Sequence, residues 1–400
     1  MCDTLVALGN STLDGSVIFG KNSDRPDDEV QLVTYHPRMH HDKNSKVQCT
    51  YISIPQVSET AAIIMSQPYW MYGCEMGCSE NNVVIGNEAV HTYEPLRANG
   101  LLGMDLLRLG LERGKTAEEA LNIITNLLVK YHQGGGCALG NSGWTYHNSF
   151  IIADEKEAYI LETADDWWIA EIVKDVRSIS NGLSIRGKGD IRRKGIIQHA
   201  IEKEYCKDDN QFDFAATFSG TKPSKSPHSR YGKSSKLLKE NRGQITPSMM
   251  MGFLREHSAG LCMHGGFEST GSQISHLRSD NHSINWFSGS TLPCLSLYKP
   301  YSFPVRDQEV LAPGPYSEIN EKWFWVQHSK YIDKIKRYPY SDSAEYKNYE
   351  QKRKQFEGGI YKKVNNLLNQ KGEISKEAIS NSLCELNKKA WELSKDLIKK

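Results

Sequence analysis

The residue with the most chemistry to offer is Cys2. A side chain as small as cysteine permits an aminopeptidase to remove Met1, which leaves a thiol and a free α-amine on one residue. An α-amine titrates near ~7.7–8.0 and a thiol near ~8.5. At neutral pH the amine is therefore neutral part of the time and can take the thiol's proton, directly or through one water. Such a nucleophile carries its own base and needs no histidine. The bland alternative is a cysteine that follows a retained methionine by accident. The apolar runs 4–8 and 16–20, with a turn-rich 11–15 between them, predict a hairpin that returns Lys21 and Asp24 to the side of Cys2.

The elements around that hairpin alternate in blocks. Residues 47–54 and 61–65 predict strands of an antiparallel sheet, and 83–90 a strand ending in the polar pair Asn87-Glu88. Helices are expected over 101–113 and 116–131, the second opening on a Thr116-x-x-Glu119 capping box with an apolar face at 120, 121, 124, 127 and 128. Residues 147–154, 158–163 and 167–173 predict a meander, and 176–185 a strand broken at Asn181-Gly182. Helices follow over 192–206 and 246–257, the latter capped by Thr246 before Pro247, with His228-Ser229-Arg230-Tyr231 as a polar insertion between them.

Several function classes are set aside by composition. Lys+Arg 49 against Asp+Glu 48 gives a net charge of +1, so no overall field points to nucleic acid or an acidic membrane. From Ser317 onward Lys/Arg number 18 against 12 Asp/Glu, leaving a mildly acidic body of 31 against 36. In the last expected helix, positions 379, 383, 386, 390, 393 and 397 form an apolar seam suited to a neighbouring helix. Lys352-Arg353-Lys354 reads as a solvated face or as a nucleic-acid contact. Nine scattered cysteines without a basic, apolar leader fit a reducing compartment, and no apolar run of about 18 residues spans a membrane. A soluble, cytoplasmic protein is expected. Cys74 and Cys78 lack further ligands at zinc spacing, so neither a metal nor a cofactor is expected.

One resemblance draws these readings together. Cys2-Asp3-Thr4, Phe19-Gly20-Lys21-Asn22-Ser23-Asp24-Arg25 and Ile85-Gly86-Asn87-Glu88-Ala89-Val90 resemble the secernins, within the C69 family of N-terminal-nucleophile hydrolases that includes bacterial dipeptidases. The likeness continues through Leu101-Leu102-Gly103-Met104-Asp105-Leu106, Tyr146-His147-Asn148-Ser149-Phe150, Ile179-Ser180-Asn181-Gly182-Leu183-Ser184-Ile185 and Phe212-Asp213-Phe214-Ala215-Ala216-Thr217. It implies an α+β fold, an αββα sandwich of two antiparallel sheets over 1–312, followed by a charged helical extension over 313–400. It also implies amide hydrolysis, with dipeptides or small amides as substrates and Met1 removed by a methionine aminopeptidase.

The family's catalytic positions fall on Cys2, Asp24, Asn87, Asn181 and Arg230, and its substrate side on Lys21, Asn22 and Asn148. In that scheme Asn87 holds the oxyanion, Asp24 orients the α-amine, Lys21 and Arg230 favour thiolate, and Asn181 positions the amine or the substrate. The dipeptidases usually carry Arg-Asn-x-Asp where this chain has Lys21-Asn22-Ser23-Asp24. Lysine lacks arginine's bidentate fork, and the Lys form matches the secernins. The competing class is a catalytically silent regulator or adaptor of secretion that keeps the constellation without turnover. In either case the C-terminal helices could engage a second copy or a protein partner.

Overall fold

Apolar side chains fill both faces of the first strand. The fold is described from a computed structural model that covers residues 1–220, 223–280, 282–335, 343–369 and 376–399. In strand Cys2–Ala7, Val6 enters a core shared with Phe19, Val84 and Ile151, while its neighbours Leu5 and Ala7 enter another with Ile274, Trp286 and Met250. A strand covered on both sides reads as a continuous apolar run rather than an alternating one. Cys2–Ala7 is a central strand of a 6-stranded antiparallel sheet in the order Val176–Ile179, Cys2–Ala7, Val17–Pro26, Phe267–Leu277, Ile284–Phe287, Lys299–Tyr301.

The second sheet has 8 antiparallel strands, in the order Ile191–Arg192, Trp167–Ile172, Ala158–Ala164, His147–Ala153, Val84–Val90, Met76–Ser79, Ile63–Pro68, Gln31–His36. Its residues Ile64, Val84, Ile151 and Ile160 face the first sheet. Their chain neighbours Ile63, Ile85, Phe150 and Leu161 face helices Gly103–Arg113 and Ala117–Tyr131. Helices Arg230–Glu240, Pro247–Phe253, Ala344–Leu368 and Lys376–Leu397 cover the outer face of the first sheet through Leu238, Met250, Ile360, Val364, Ile379, Leu383 and Ala390. The layers therefore run helix, sheet, sheet, helix, as the α+β sandwich expectation requires. Among the described residues no helix is long and apolar enough to cross a membrane.

Several local expectations are corrected. Residues 47–54 form two short paired strands, Lys46–Gln48 and Ser53–Pro55, because the backbone N–H and hydroxyl of Thr50 both donate to Asp105, at 3.2 and 2.7 Å, and turn the chain. The helices expected over 192–206 and 246–257 shrink to Ile196–Glu202 and Pro247–Phe253. The strand of 176–185 stops at Ile179, before the Asn-Gly bend. Glu119 reaches back to the backbone N–H of Lys115 at 2.9 Å, one residue short of the reciprocal capping bond, although Thr116 caps as expected. Cys74 lies in the core beneath helix Gly103–Arg113 and Cys78 in the core between the sheets. Arg353 is buried against Glu357 at 3.5 Å, which removes it from any solvated or nucleic-acid face.

The seam of the last helix packs on both Ala344–Leu368 and the edge of the first sheet, where Asn387 donates to the Pro300 carbonyl at 2.8 Å. Beside it Lys299, fully buried, donates to the Ser288 carbonyl and lies 4.6 Å from the Trp391 ring and 4.9 Å from that of Phe324. Burial lowers its ammonium to about 7, against about 10.4 in an unfolded chain. Between those values the unfolded state binds more protons, so stability should rise with pH from about 7 to about 10, by at most ~1.4 kcal/mol per pH unit. Denaturation at pH 7, 8 and 9 should show that rise, and Lys299→Met should flatten it.

Candidate active site

The hairpin brings its residues together by register. Cys2 pairs with Ser23, Asp3 with Asn22 and Thr4 with Lys21, and the next strand adds Ser269 opposite Asp24. The Cys2 backbone N–H donates to Asn181 Oδ1 at 2.8 Å, and the backbone N–H of Asp24 points at the Cys2 sulfur at 3.3 Å. The thiol itself faces Glu75 Oε2 at 3.9 Å. The Met1 ammonium donates to the Asp24 carbonyl at 2.8 Å.

Arg230 ties four of these groups. It is the first residue of helix Arg230–Glu240, which Ser229 caps by accepting from the Gly232 backbone N–H. Its guanidinium donates at 2.8 Å to both the Cys2 carbonyl and Asp3, and at 2.7 Å to Asn181 Oδ1, while Asp24 Oδ2 lies 3.7 Å away. Asn181 completes its amide by donating to the Ala89 carbonyl at 3.0 Å. The polar insertion expected at 228–231 is thus a capped helix start that aims a cation at the first strand.

Lys21 is fully buried and donates to the Asn87 carbonyl at 2.6 Å, with Glu88 at 3.6 Å and Glu75 at 4.0 Å. Burial alone would lower its ammonium, but negative charge on the Cys2 sulfur when it is thiolate, and on Glu88, Glu75 and Asp24, outweighs it and raises Lys21 above its ordinary value. The carboxyls pay the electrostatic cost of depth: burial raises Glu88 to about 8, Asp3 to about 6 and Asp24 above its ordinary value. With Met1 in place, burial pushes the Cys2 thiol up to about 12, opposed by Lys21.

Four expected residues sit differently from the sequence scheme. The Asn22 amide donates to the carbonyls of Leu254 and Leu261, each at 2.7 Å, and its oxygen accepts from Ser272 at 2.7 Å, so it holds a loop and has nothing left for a substrate. Asn22→Ala should cost about 1–3 kcal/mol by leaving buried carbonyls unpaired, read as a lowered denaturation midpoint rather than a raised KM. Asn148 is also internal: it accepts from Asn87 at 3.0 Å and donates to Gln133 at 3.0 Å. The Asn87 amide nitrogen is engaged by Asn148 and, at 3.3 Å, by the Met104 sulfur. The Asp24 carboxylate accepts from Ser269 at 2.6 Å, and it is Asn181 that takes the Cys2 N–H.

The family model of Peptidase family C69 matches residues 1–231. The chain belongs to peptidase family C69. The coarse function follows from the family: hydrolysis of amide bonds. Among solved structures, the chain is similar to a mutant of conjugated bile acid hydrolase from Clostridium perfringens, at 12% identity over 80% of this chain and 99% of that one, with a TM-score of 0.47. It is also similar to penicillin V acylase from Agrobacterium tumefaciens, at 10% identity over 76% and 86%, with a TM-score of 0.44.

The C69 chain carries site residues that the sequence reading did not assign. Glu75 reaches the thiol from the loop before Met76–Ser79, and no local pattern marks it. It also lies 3.5 Å from Arg25, which Glu29 and the Tyr146 hydroxyl hold in place. Glu88 and Asp3 stand inside the quoted motifs; Glu88 accepts from Thr4 at 2.5 Å. Ser269 belongs to the strand Phe267–Leu277, to which the sequence reading assigned no element.

Proposed function

We propose that the chain is a cysteine-type N-terminal-nucleophile amidohydrolase, a dipeptidase-like enzyme acting on dipeptides or small amides in the cytoplasm, with Cys2 as nucleophile once Met1 is removed. The observation that carries this reading is that both reactive groups of Cys2 are already held, its nitrogen by Asn181 at 2.8 Å and its sulfur by the Asp24 N–H at 3.3 Å.

In the proposed reaction the α-amine takes the thiol proton and the sulfur attacks the substrate carbonyl, forming the S–C bond. The resulting ammonium protonates the leaving amine as the C–N bond breaks. Water then adds to the thioester with the amine as base, releasing the carboxylic acid and restoring the thiol. Lys21 and the Asp24 N–H favour thiolate, and Arg230 fixes the nitrogen by holding Asn181. Asn87 can serve as the oxyanion donor only by exchanging Asn148 and Met104 for the substrate oxygen.

A second reading is favoured by the site's depth. Cys2 is 5% exposed and its thiol lies at about 12 while Met1 remains. A chain that keeps Met1 is therefore inert, as a secernin-like regulator or adaptor of secretion would be. The N-terminal peptide mass, with and without native thiol alkylation, separates the two. An absent Met1 with a free amine and an alkylatable thiol supports the hydrolase, and a dipeptide screen against Cys2→Ala follows. Retained Met1 or a chemically converted Cys2 overturns it.

A further inference from the structure

Away from Cys2, two loops that follow different elements bring four metal-binding side chains to one point. His257, Cys262 and His264 lie in the loop between helix Pro247–Phe253 and strand Phe267–Leu277. Cys294 comes from the loop between strands Ile284–Phe287 and Lys299–Tyr301. One ligand atom from each residue lies within 4.8 Å of all the others. His264 Nε2 is 3.6 Å from the Cys262 sulfur and 3.4 Å from the Cys294 sulfur. The His257 and His264 rings stand 5.0 Å apart at 72°.

The two sulfur–nitrogen separations match the edges of a coordination tetrahedron. Zn–S bonds of about 2.3 Å and Zn–N bonds of about 2.0–2.1 Å place neighbouring sulfur and nitrogen ligands about 3.5 Å apart. Both thiols are buried and neither is in a disulfide. Two thiolates and two imidazoles are a donor set that selects zinc over the hard cations. Four protein ligands leave no open position, the mark of a structural rather than a hydrolytic zinc.

We propose that His257, Cys262, His264 and Cys294 bind one structural Zn²⁺ that joins the two loops. The joined loops back the wall behind Cys2. The loop carbonyls of Leu254 and Leu261 receive the Asn22 amide, and the Met263 N–H donates to Ser269 at 3.0 Å, the same hydroxyl that donates to Asp24. The Cys294 loop is anchored on its far side by Arg255, which donates to the Pro293 carbonyl at 2.8 Å and pairs with Glu357 at 2.6 Å. The zinc is thus a positioning element, and its presence does not depend on whether Cys2 is processed or active. The sequence reading, which weighed Cys74 and Cys78, expected no metal; here the fourth ligand, Cys294, joins the other three only through the fold.

Elemental analysis of the full chain, purified under reducing conditions without chelator, tests the proposal. About one zinc per chain is expected, falling to background in Cys262→Ser and Cys294→Ser but not in the control Cys206→Ser. Because the ligand variants could misfold, the wild-type chain exchanged into Co²⁺ supplies an independent readout: tetrahedral d–d bands together with a thiolate charge-transfer band. A chain that takes up less than about 0.1 equivalent of zinc from a zinc-containing buffer overturns the proposal. So does a cobalt spectrum without the thiolate band, or a Cys262–Cys294 disulfide in the freshly purified protein.

Discussion

Cys2→Ala should leave a folded chain without turnover. The substitution removes one sulfur atom from a buried position, and Leu5, Val6 and Ala7 still anchor the strand in two cores. Removing a nucleophile that acts as a unit with its base costs about 10³-fold or more in kcat. Peptide hydrolysis should fall by that factor while the circular dichroism and denaturation midpoint stay near wild type. A rate within about tenfold of wild type would sink the mechanism. An N-terminal extension that cannot be cleaved, leaving Cys2 internal with its thiol intact, should be as inactive as the alanine variant. That second result separates the need for the amine from the need for the sulfur.

Lys21→Met should be the most destabilising single change in the site. The ammonium is fully buried within 4.0 Å of Glu75 and Glu88. Removing one partner of a buried ion pair costs about 3–5 kcal/mol, because the remaining charge is left without compensation. Glu88 can escape by taking a proton, since burial already raises it to about 8. The deficit should therefore be smaller near pH 5 than near pH 8. Urea denaturation at both pH values reads it, and adding Glu88→Gln should recover part of the loss in a double-mutant cycle. Lys21→Arg should restore charge better than activity. A Cβ added at Gly86 would meet Lys21 Cδ at 2.5 Å, so the lysine stem is fixed against the backbone of the facing sheet, and a planar guanidinium on that stem cannot repeat the point contact of the ammonium with the Asn87 carbonyl.

Much of this site was readable without coordinates. The hairpin of Cys2–Ala7 and Val17–Pro26 announced itself by two apolar runs about a turn, and that alone placed Lys21 and Asp24 near Cys2. Asn181 stood out as an amide at a bend. The strand Phe267–Leu277 did not, because a strand with both faces buried can carry serine and threonine where their hydroxyls find partners, as Ser272 does with Asn22 and Tyr298. Helix Arg230–Glu240 was hidden by Gly232 and two serines, which lower intrinsic helix propensity. Glu75 is a different kind of loss. Its role depends on the approach of one sheet to the other, a relation that no spacing along the chain encodes. The same holds for Asn22: its motif suggested a substrate contact, and only the loop at 254–261 shows what its amide holds.

The position of the first strand sets a deadline. An exopeptidase must draw the first residues of its substrate, extended, into its own cleft. Once folded, Cys2 is paired with Ser23, and Thr4 to Ala7 are paired on both sides, with Lys21 to Ile18 and with Ile179 to Val176. Their backbone has nothing left to offer a second protein. The last of those partners, Ile179, is synthesised about 175 residues after Thr4, which at about 5–20 residues per second allows roughly 10–35 s. On the proposed reading, in which Met1 is removed, methionine removal and closure of the sheet are therefore in a race during synthesis. On that reading a chain that folds before losing Met1 keeps a blocked amine, and translation speed and aminopeptidase supply would set the active fraction of a preparation.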